Sequence, residues 1–499
     1  MSREQWLSAK SSALRDEDER ISTLNEIKDY LRSLPQNEAA ESAQLLQMPV
    51  LFDCLNDSNT EQIDLACEVL TLCLNTLTLG ESTNRYNVPL ERALKHPHSQ
   101  VKLMALKDIQ RNIVNDELLV RFCKHTPLLI MVIKCIGNDD LGVALLSSDV
   151  ITTVGASESC INVLLLPDVQ NVVAEVMSKN EIIRLRFFEV FINIARKSEK
   201  SHNILESSGF LGQVLHDLNN NDVLLRMNII ELLSQFVTCK QGYRYLESNG
   251  IIEKFCKQLK DSDDLLFVQL CEPGILKFFG QLAYWRPNDI VTKYKFILTR
   301  IYSNIKSDNF TLVRVSVDTL GHIAETNEGK IALNSVGDIM PKLLPSITEK
   351  LNKLPNEVKI RALNCLENIL QVSTNDTRIT AITRRWYSYL EGNPIDLILR
   401  YAKNPFSEIR CAGLGILNAL ATQLWGQEVI RNSAGLVEFL LDRNVETIKE
   451  CKELKFEIIC KLSTSEVFNH EINLRLQAFV KEGPFYVQGV TEVAIEGND

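Results

Sequence analysis

Apolar residues recur along this chain every three or four positions, the spacing of one buried face of an α-helix. In the stretch 225–238, Leu225, Ile229, Leu232, Leu233 and Phe236 fall on one stripe, and Asn228, Glu231, Gln235 and Thr238 fall opposite. Helices of this kind begin on an apolar–basic step that recurs at Val101-Lys102, Ile183-Arg184, Leu225-Arg226, Val313-Arg314, Val358-Lys359 and Ile409-Arg410. The basic positions lie 82, 42, 88, 45 and 51 residues apart, one or two copies of a two-helix unit each time. Periods of roughly 40–47 residues belong to HEAT and armadillo arrays. One helical hairpin cannot bury its apolar face alone, whereas stacked neighbours share a core. The pattern therefore predicts an all-α fold, an armadillo/HEAT-like right-handed α-solenoid superhelix. The array is expected to run continuously over residues 1–480, with 1–35 as an N-terminal capping helix and 481–499 as a C-terminal tail.

Punctuation within the unit agrees. Ser208-Gly209-Phe210, Asn249-Gly250-Ile251, Val336-Gly337-Asp338 and Ala434-Gly435-Leu436 place a glycine where one helix closes and the next opens. Asn180-Glu181, Asn219 to Asp222, Asp261 to Asp264, Ser307-Asp308, Pro355-Asn356 and Asn404-Pro405 supply turn and N-cap residues before the second helices. One second helix, expected over 265–283, is interrupted at Pro273.

The polar faces of the second helices also line up. Nine residues past Arg226 stands Gln235, and the equivalent places hold Asn112, Thr153, Asn193, Gln281, His322 and Asn368. Amide side chains in such a row both donate and accept toward a peptide backbone. They serve equally to bind water or to cap a neighbouring repeat. Four residues earlier, on the same helix face, stand Asp108, Asp149, Glu189, Glu231, Lys277, Asp318 and Asn364. Five of these seven are carboxylates, so the face favours a basic partner; a solvated face explains each charge singly. Tryptophan, which importin-like armadillo receptors carry in the earlier row, is absent from it.

Composition narrows the classes. The 499 residues carry a formal charge of −10, which argues against nucleic acid or an anionic membrane as partner. The start is too polar for a secretory signal and no apolar run is long enough to span lipid, so a soluble intracellular protein is expected. Thirteen cysteines, with Cys67, Cys135, Cys256, Cys365, Cys411 and Cys460 inside apolar patterns, read as reduced core residues rather than a metal site or disulfide framework. Histidines are scattered, and the zinc-hydrolase and serine-esterase motifs are missing. Gly329-Lys330 hints at a phosphate loop, but Ala324 stands where that loop needs its first glycine. No catalytic residue, metal ligand or cofactor is assigned. The aromatic groups Tyr284-Trp285-Arg286, Tyr243-x-Tyr245 and Arg384-Arg385-Trp386-Tyr387 fit either interface anchors or packing between repeats.

Longer motifs carry a family resemblance. The stretch from Pro273 to Ala283 (PGILKFFGQLA) resembles the 26S proteasome non-ATPase regulatory subunit 5 family. So do Val317-Asp318-Thr319-Leu320-Gly321, the stretch Asn432 to Phe439 with Asp442-Arg443, and Glu482 to Val487 with Glu496-Gly497. The resemblance extends over essentially the whole chain. It implies a chaperone for assembly of the proteasome regulatory-particle base, one that binds AAA ATPase subunits through their C-terminal domain and is absent from the mature particle. It further implies base scaffold subunits as partners and a place in the cytoplasm, with the nucleus as a second compartment. The resemblance transfers no residue-level motif; the residues assigned to partner binding are Asp108, Asn112, Asp149, Thr153, Glu189, Asn193, Glu231, Gln235, Gln281, Asp318, His322 and Asn368. The alternative is an armadillo-type scaffold or a transport adaptor for basic peptides.

Overall fold

The computed structural model describes residues 2–261, 269–373 and 376–486, and these contain helices and no strand. The chain forms two compact units, residues 1–245 and 246–499. Each is a stack of helical repeats, and each repeat ends in a long helix. In the first unit these are α1 (Arg20–Ser33), α2 (Thr60–Thr76), α3 (Ser99–Arg111), α4 (Leu141–Ala156), α5 (Glu181–Ala195) and α6 (Val223–Phe236). In the second they are α7 (Glu272–Trp285), α8 (Phe310–Glu325), α9 (Asn356–Leu370), α10 (Ser407–Ala421) and α11 (Lys449–Ser463). Within each unit every long helix packs on the next, and the helix His470–Glu482 packs on α11. Each unit is an α-solenoid.

The repeat has three helices rather than the two read from sequence. A short one precedes the hairpin, as with Glu81–Arg85 and Asn87–Lys95 before α3, or Asn327–Ser335 and Met340–Lys350 before α9. Residues 1–35 hold two α-helices, Arg3–Ala13 and α1, with a 3-10 turn at Glu17–Glu19 between them, not one helix. The tail assigned to 481–499 is described only to Tyr486, and the Glu496-Gly497 motif lies outside the described residues. So do Ser262 to Asp264 of one expected turn and residues 265–268 of the helix expected to follow it. Pro273 marks the expected break, since residues 269–270 are helical, Cys271 is a turn residue and α7 begins at Glu272. The proline sits in the first turn, where its missing N–H costs no helical hydrogen bond.

The apolar step explains why the long helices face inward: Val101, Ile183, Leu225, Val313, Val358 and Ile409 are all buried. The stripe Leu225, Ile229, Leu232, Leu233 and Phe236 is buried throughout, and rings such as Phe191 and Phe210, stacked 4.5 Å apart, fill the space between helices. Caps fix where the helices start. Asn180 accepts from Ile183 N, and Asp222 accepts from Leu224 and Leu225 N. Before α8 the cap is Asn309, one residue past the expected Ser307-Asp308.

Glycines carry two jobs. Gly209, Gly250, Gly337 and Gly435 all have φ between 64° and 81°, the left-handed turn expected of them. Gly242, Gly329 and Gly426 open the following short helix against the end of the preceding long one. A Cβ there would stand 1.9, 1.7 and 2.2 Å from the carbonyl oxygens of Phe236, Ile323 and Leu420.

Gly329-Lys330 is thus a packing motif. Lys330 is fully buried, and its ammonium donates to Ala324 O and, at 2.8 Å, to Asn368 O, bridging the ends of α8 and α9. Burial lowers its amine to about 8. Trp386 is also buried, as are Tyr243 and Tyr245, so these aromatics serve packing, while Arg384 and Arg385 stay exposed. One cysteine expectation is corrected: Cys411 and Cys451 form a disulfide between α10 and α11. Their separation of 40 residues matches the repeat, which sets two equivalent positions on adjacent helices 5.4 Å apart at Cα.

Candidate functional site

The assigned residues fall on the polar faces of the long helices, and the structure divides them into three groups. Asp108 on α3 and Asn112 at its C-cap are the clearest correction. Both are buried, Asn112 completely. Gly80 N donates to Asn112 Oδ1 at 2.6 Å, Ser82 Oγ donates to Asp108 Oδ2 at 2.6 Å, and Asn112 Nδ2 donates to Ser82 Oγ at 2.7 Å. Arg111 reaches both Leu74 O and Asp108 Oδ1. Burial raises the Asp108 carboxyl above its usual value, against the pull of Ser82, Arg111 and Asn112. This network ties the turn around Gly80 to α3 and leaves neither side chain available to a partner.

The second group lies on α4, α5 and α6, which pack side by side. Asp149, Thr153 and Glu189 are exposed, and Asn193, Glu231 and Gln235 are half-buried. Each acid and its polar neighbour sit one helical turn apart, so the three helices carry two parallel rows. Thr153 Oγ1 donates to Asp149 O at 2.9 Å, which turns the hydroxyl back to its own helix. Asp149 and Glu189 have no ion pair among the described residues. Three arginines of α5 and its C-cap are engaged elsewhere. Arg184 pairs with Asp217 at 2.8 Å, Arg186 donates to Ile136 O and Asn138 O, and Arg196 donates to Thr238. The charges of Asp149 and Glu189 are therefore left for solvent or a partner.

The pattern reading missed a third row. Four residues before each acid stand Leu145, Leu185 and Met227, and at the helix starts stand Leu141, Ile182 and Leu224. Leu141, Leu145, Ile182 and Leu224 are 59, 50, 65 and 65% exposed. The signal was present as apolar residues on the polar side of an otherwise amphipathic stripe.

The third group lies in the second unit, on α7, α8 and α9. Gln281 and Asn368 are half-buried and His322 is exposed. Here the charges are matched across neighbouring helices. Arg314 pairs with Glu357 at 2.7 Å, and Arg361 stands 3.8 Å from Asp318. Partial burial raises the Asp318 carboxyl, against Arg361 and Arg314. His322 Nδ1 lies 3.3 Å from Glu325 Oε2 on its own helix. Further along, Asn418 Nδ2 donates to Glu457 and Lys461 donates to Asn418 Oδ1, joining α10 to α11.

No described helix is long and apolar enough to cross a membrane. A crystallised engineered protein aligns with TM-score 0.40 at 14% identity, over 83% of this chain and 98% of its own. The 26S proteasome non-ATPase regulatory subunit 5 of Bos taurus is 30% identical over 483 residues, 96% of each chain. The Homo sapiens protein of the same name is 30% identical over 486 residues, again 96% of each. The family model described as proteasome non-ATPase 26S subunit matches residues 3–499, and the chain belongs to that family.

Proposed function

We propose that this protein is a chaperone for assembly of the proteasome regulatory-particle base. It is not an enzyme. It holds AAA ATPase subunits by their C-terminal domain, with base scaffold subunits as further contacts, and leaves before the particle is complete. It works in the cytoplasm and the nucleus. The relatives' name supports the tie to the proteasome. The observation that carries the binding role is the α4–α5–α6 face, where Asp149 and Glu189 lie on adjacent helices with no ion pair among the described residues. A rigid face of this kind covers a partner's future interface and blocks wrong pairings until a tighter partner competes.

Affinity purification of the full chain followed by quantitative mass spectrometry tests the role. The expected result is recovery of ATPase subunits and base intermediates with little of the complete proteasome. Equal recovery of all proteasome subunits, or of none, overturns it.

A further inference from the structure

The three rows on α4, α5 and α6 specify more than a charge preference. The outermost row is apolar (Leu145, Leu185 and Met227, with Leu141, Ile182 and Leu224 at its edge), the next is acidic (Asp149, Glu189, Glu231), and the last is polar. Isolated exposed leucines are ordinary on a protein surface. Here Leu141, Leu145, Ile182 and Leu224 stand exposed in the first two turns of three adjacent helices, one or two turns before the carboxylates, with Leu185 and Met227 half-buried beside them.

Packed helices lie about 8–10 Å apart, so the row offers an apolar step roughly every 10 Å. An α-helix rises about 1.5 Å per residue, so residues seven apart are about 10.5 Å apart and point the same way. An extended segment covers about 10 Å in three residues, and three residues turn the side chain to the opposite face. A helix laid across α4, α5 and α6 therefore matches the apolar row where a strand does not. The acid row runs alongside, one helical turn from Leu145 and two from Ile182 and Leu224, and requires cations along one flank of the occupant. The same acids exclude an anionic lipid surface.

We infer that the α4–α5–α6 face binds one amphipathic helix, with apolar residues at heptad spacing and lysine or arginine along one flank. The inference rests on the chaperone reading for the helix's owner, an ATPase subunit, while the recognition chemistry stands on the face itself. Ile182 and Leu224 are its apolar anchors, and Asp149 and Glu189 read its basic flank.

The test uses the full chain and a fluorescent synthetic peptide of about three heptads, leucine on one stripe and lysine beside it. A control peptide has the same composition with the stripe scrambled. Anisotropy at low salt is expected to show the striped peptide binding at least about tenfold tighter than the control, with a gain of helical circular dichroism. Ile182→Ser with Leu224→Ser, both exposed sites, is expected to weaken it about tenfold at unchanged melting temperature. Asp149→Lys with Glu189→Lys is expected to weaken it most at low salt. Equal binding of the two peptides, or unchanged affinity in the serine variant, overturns the inference. Purification of the same variants separates it from the chaperone reading. If the serine variant still recovers ATPase subunits in full, the helix assignment falls and the chaperone reading stands. If the wild-type chain recovers none while the peptide profile holds, the chaperone reading falls and the recognition chemistry stands.

Discussion

The α4–α5–α6 face of the first unit and the α8–α9 face of the second share one repeat register and use it differently. Four residues before the acid position, the first has Leu145, Leu185 and Met227, and the second has Arg314 and Ile360. Arg314 reaches Glu357 on the next helix, and Asp318 is met by Arg361. In the second unit these charges act between repeats. In the first, Asp149 and Glu189 have no ion pair among the described residues and stand near exposed apolar side chains. The contrast teaches that a helical array makes a docking surface by withholding internal partners as much as by placing acids.

The sharpest way to break this comparison is to remove a charge that the second unit uses internally. Glu446 is buried and takes two hydrogen bonds from Arg410, at 2.6 and 3.0 Å, and two more from Thr447 and Ile448 N. Glu446→Ala is expected to cost about 3–5 kcal/mol in chemical denaturation, because the largely covered Arg410 loses its carboxylate and the Thr447 and Ile448 N–H groups lose their acceptor. A loss near zero would erase the distinction between internal and displayed charge.

Asp108 gives the first unit's counterpart. Asp108→Ala is expected to cost about 1–3 kcal/mol, since Ser82 and Asn112 lose their acceptor. The two acids also differ in sign with pH. Burial pushes the Glu446 carboxyl up, but the Arg410 and backbone N–H bonds outweigh it and hold the carboxyl below its usual value. Its stabilisation is full above the ordinary glutamate range and is lost as pH falls through the lowered folded value. Asp108 is raised, so the native state holds its proton longer and stability falls as pH rises through that window. Denaturation between pH 3 and 7 should show the gap between wild type and Glu446→Gln opening with pH, and the gap to Asp108→Asn closing.

Smaller stability effects sharpen the contrast further. Asp149→Lys and Glu189→Lys are each expected to change stability by under about 0.5 kcal/mol while weakening partner binding. A double-mutant cycle on Arg314 and Glu357, both well exposed, should return only about 0.2–1 kcal/mol. A coupling near zero would show that this bridge does not hold the repeats together.

Much of this was legible in local pattern. Period, stripe and turn glycines are set by neighbours within a few residues, so Leu225 to Phe236 and Gly209, Gly250, Gly337 and Gly435 read correctly. Asp108 and Asn112 did not, because their burial depends on a turn near Gly80, some thirty residues away, folding over α3. The same holds for Arg314 and Glu357, 43 residues apart, and for Cys411 and Cys451. The short helix of each repeat escaped because Asn327–Ser335 and its equivalents are brief and contribute few apolar positions. The apolar row at Leu145, Leu185 and Met227 was visible as residues but not as a row, since only stacking in register gives it meaning.

The Cys411–Cys451 bond reaches beyond the static fold. A stacked array pulled from its ends unravels repeat by repeat, each releasing its full contour. With these sulfurs joined, the segment between them stays a closed loop, and the forty-residue separation withholds about 130–140 Å of extension. Force spectroscopy with and without reductant would record that missing length, and an array subject to traction would keep its last repeats tethered after the others had given way.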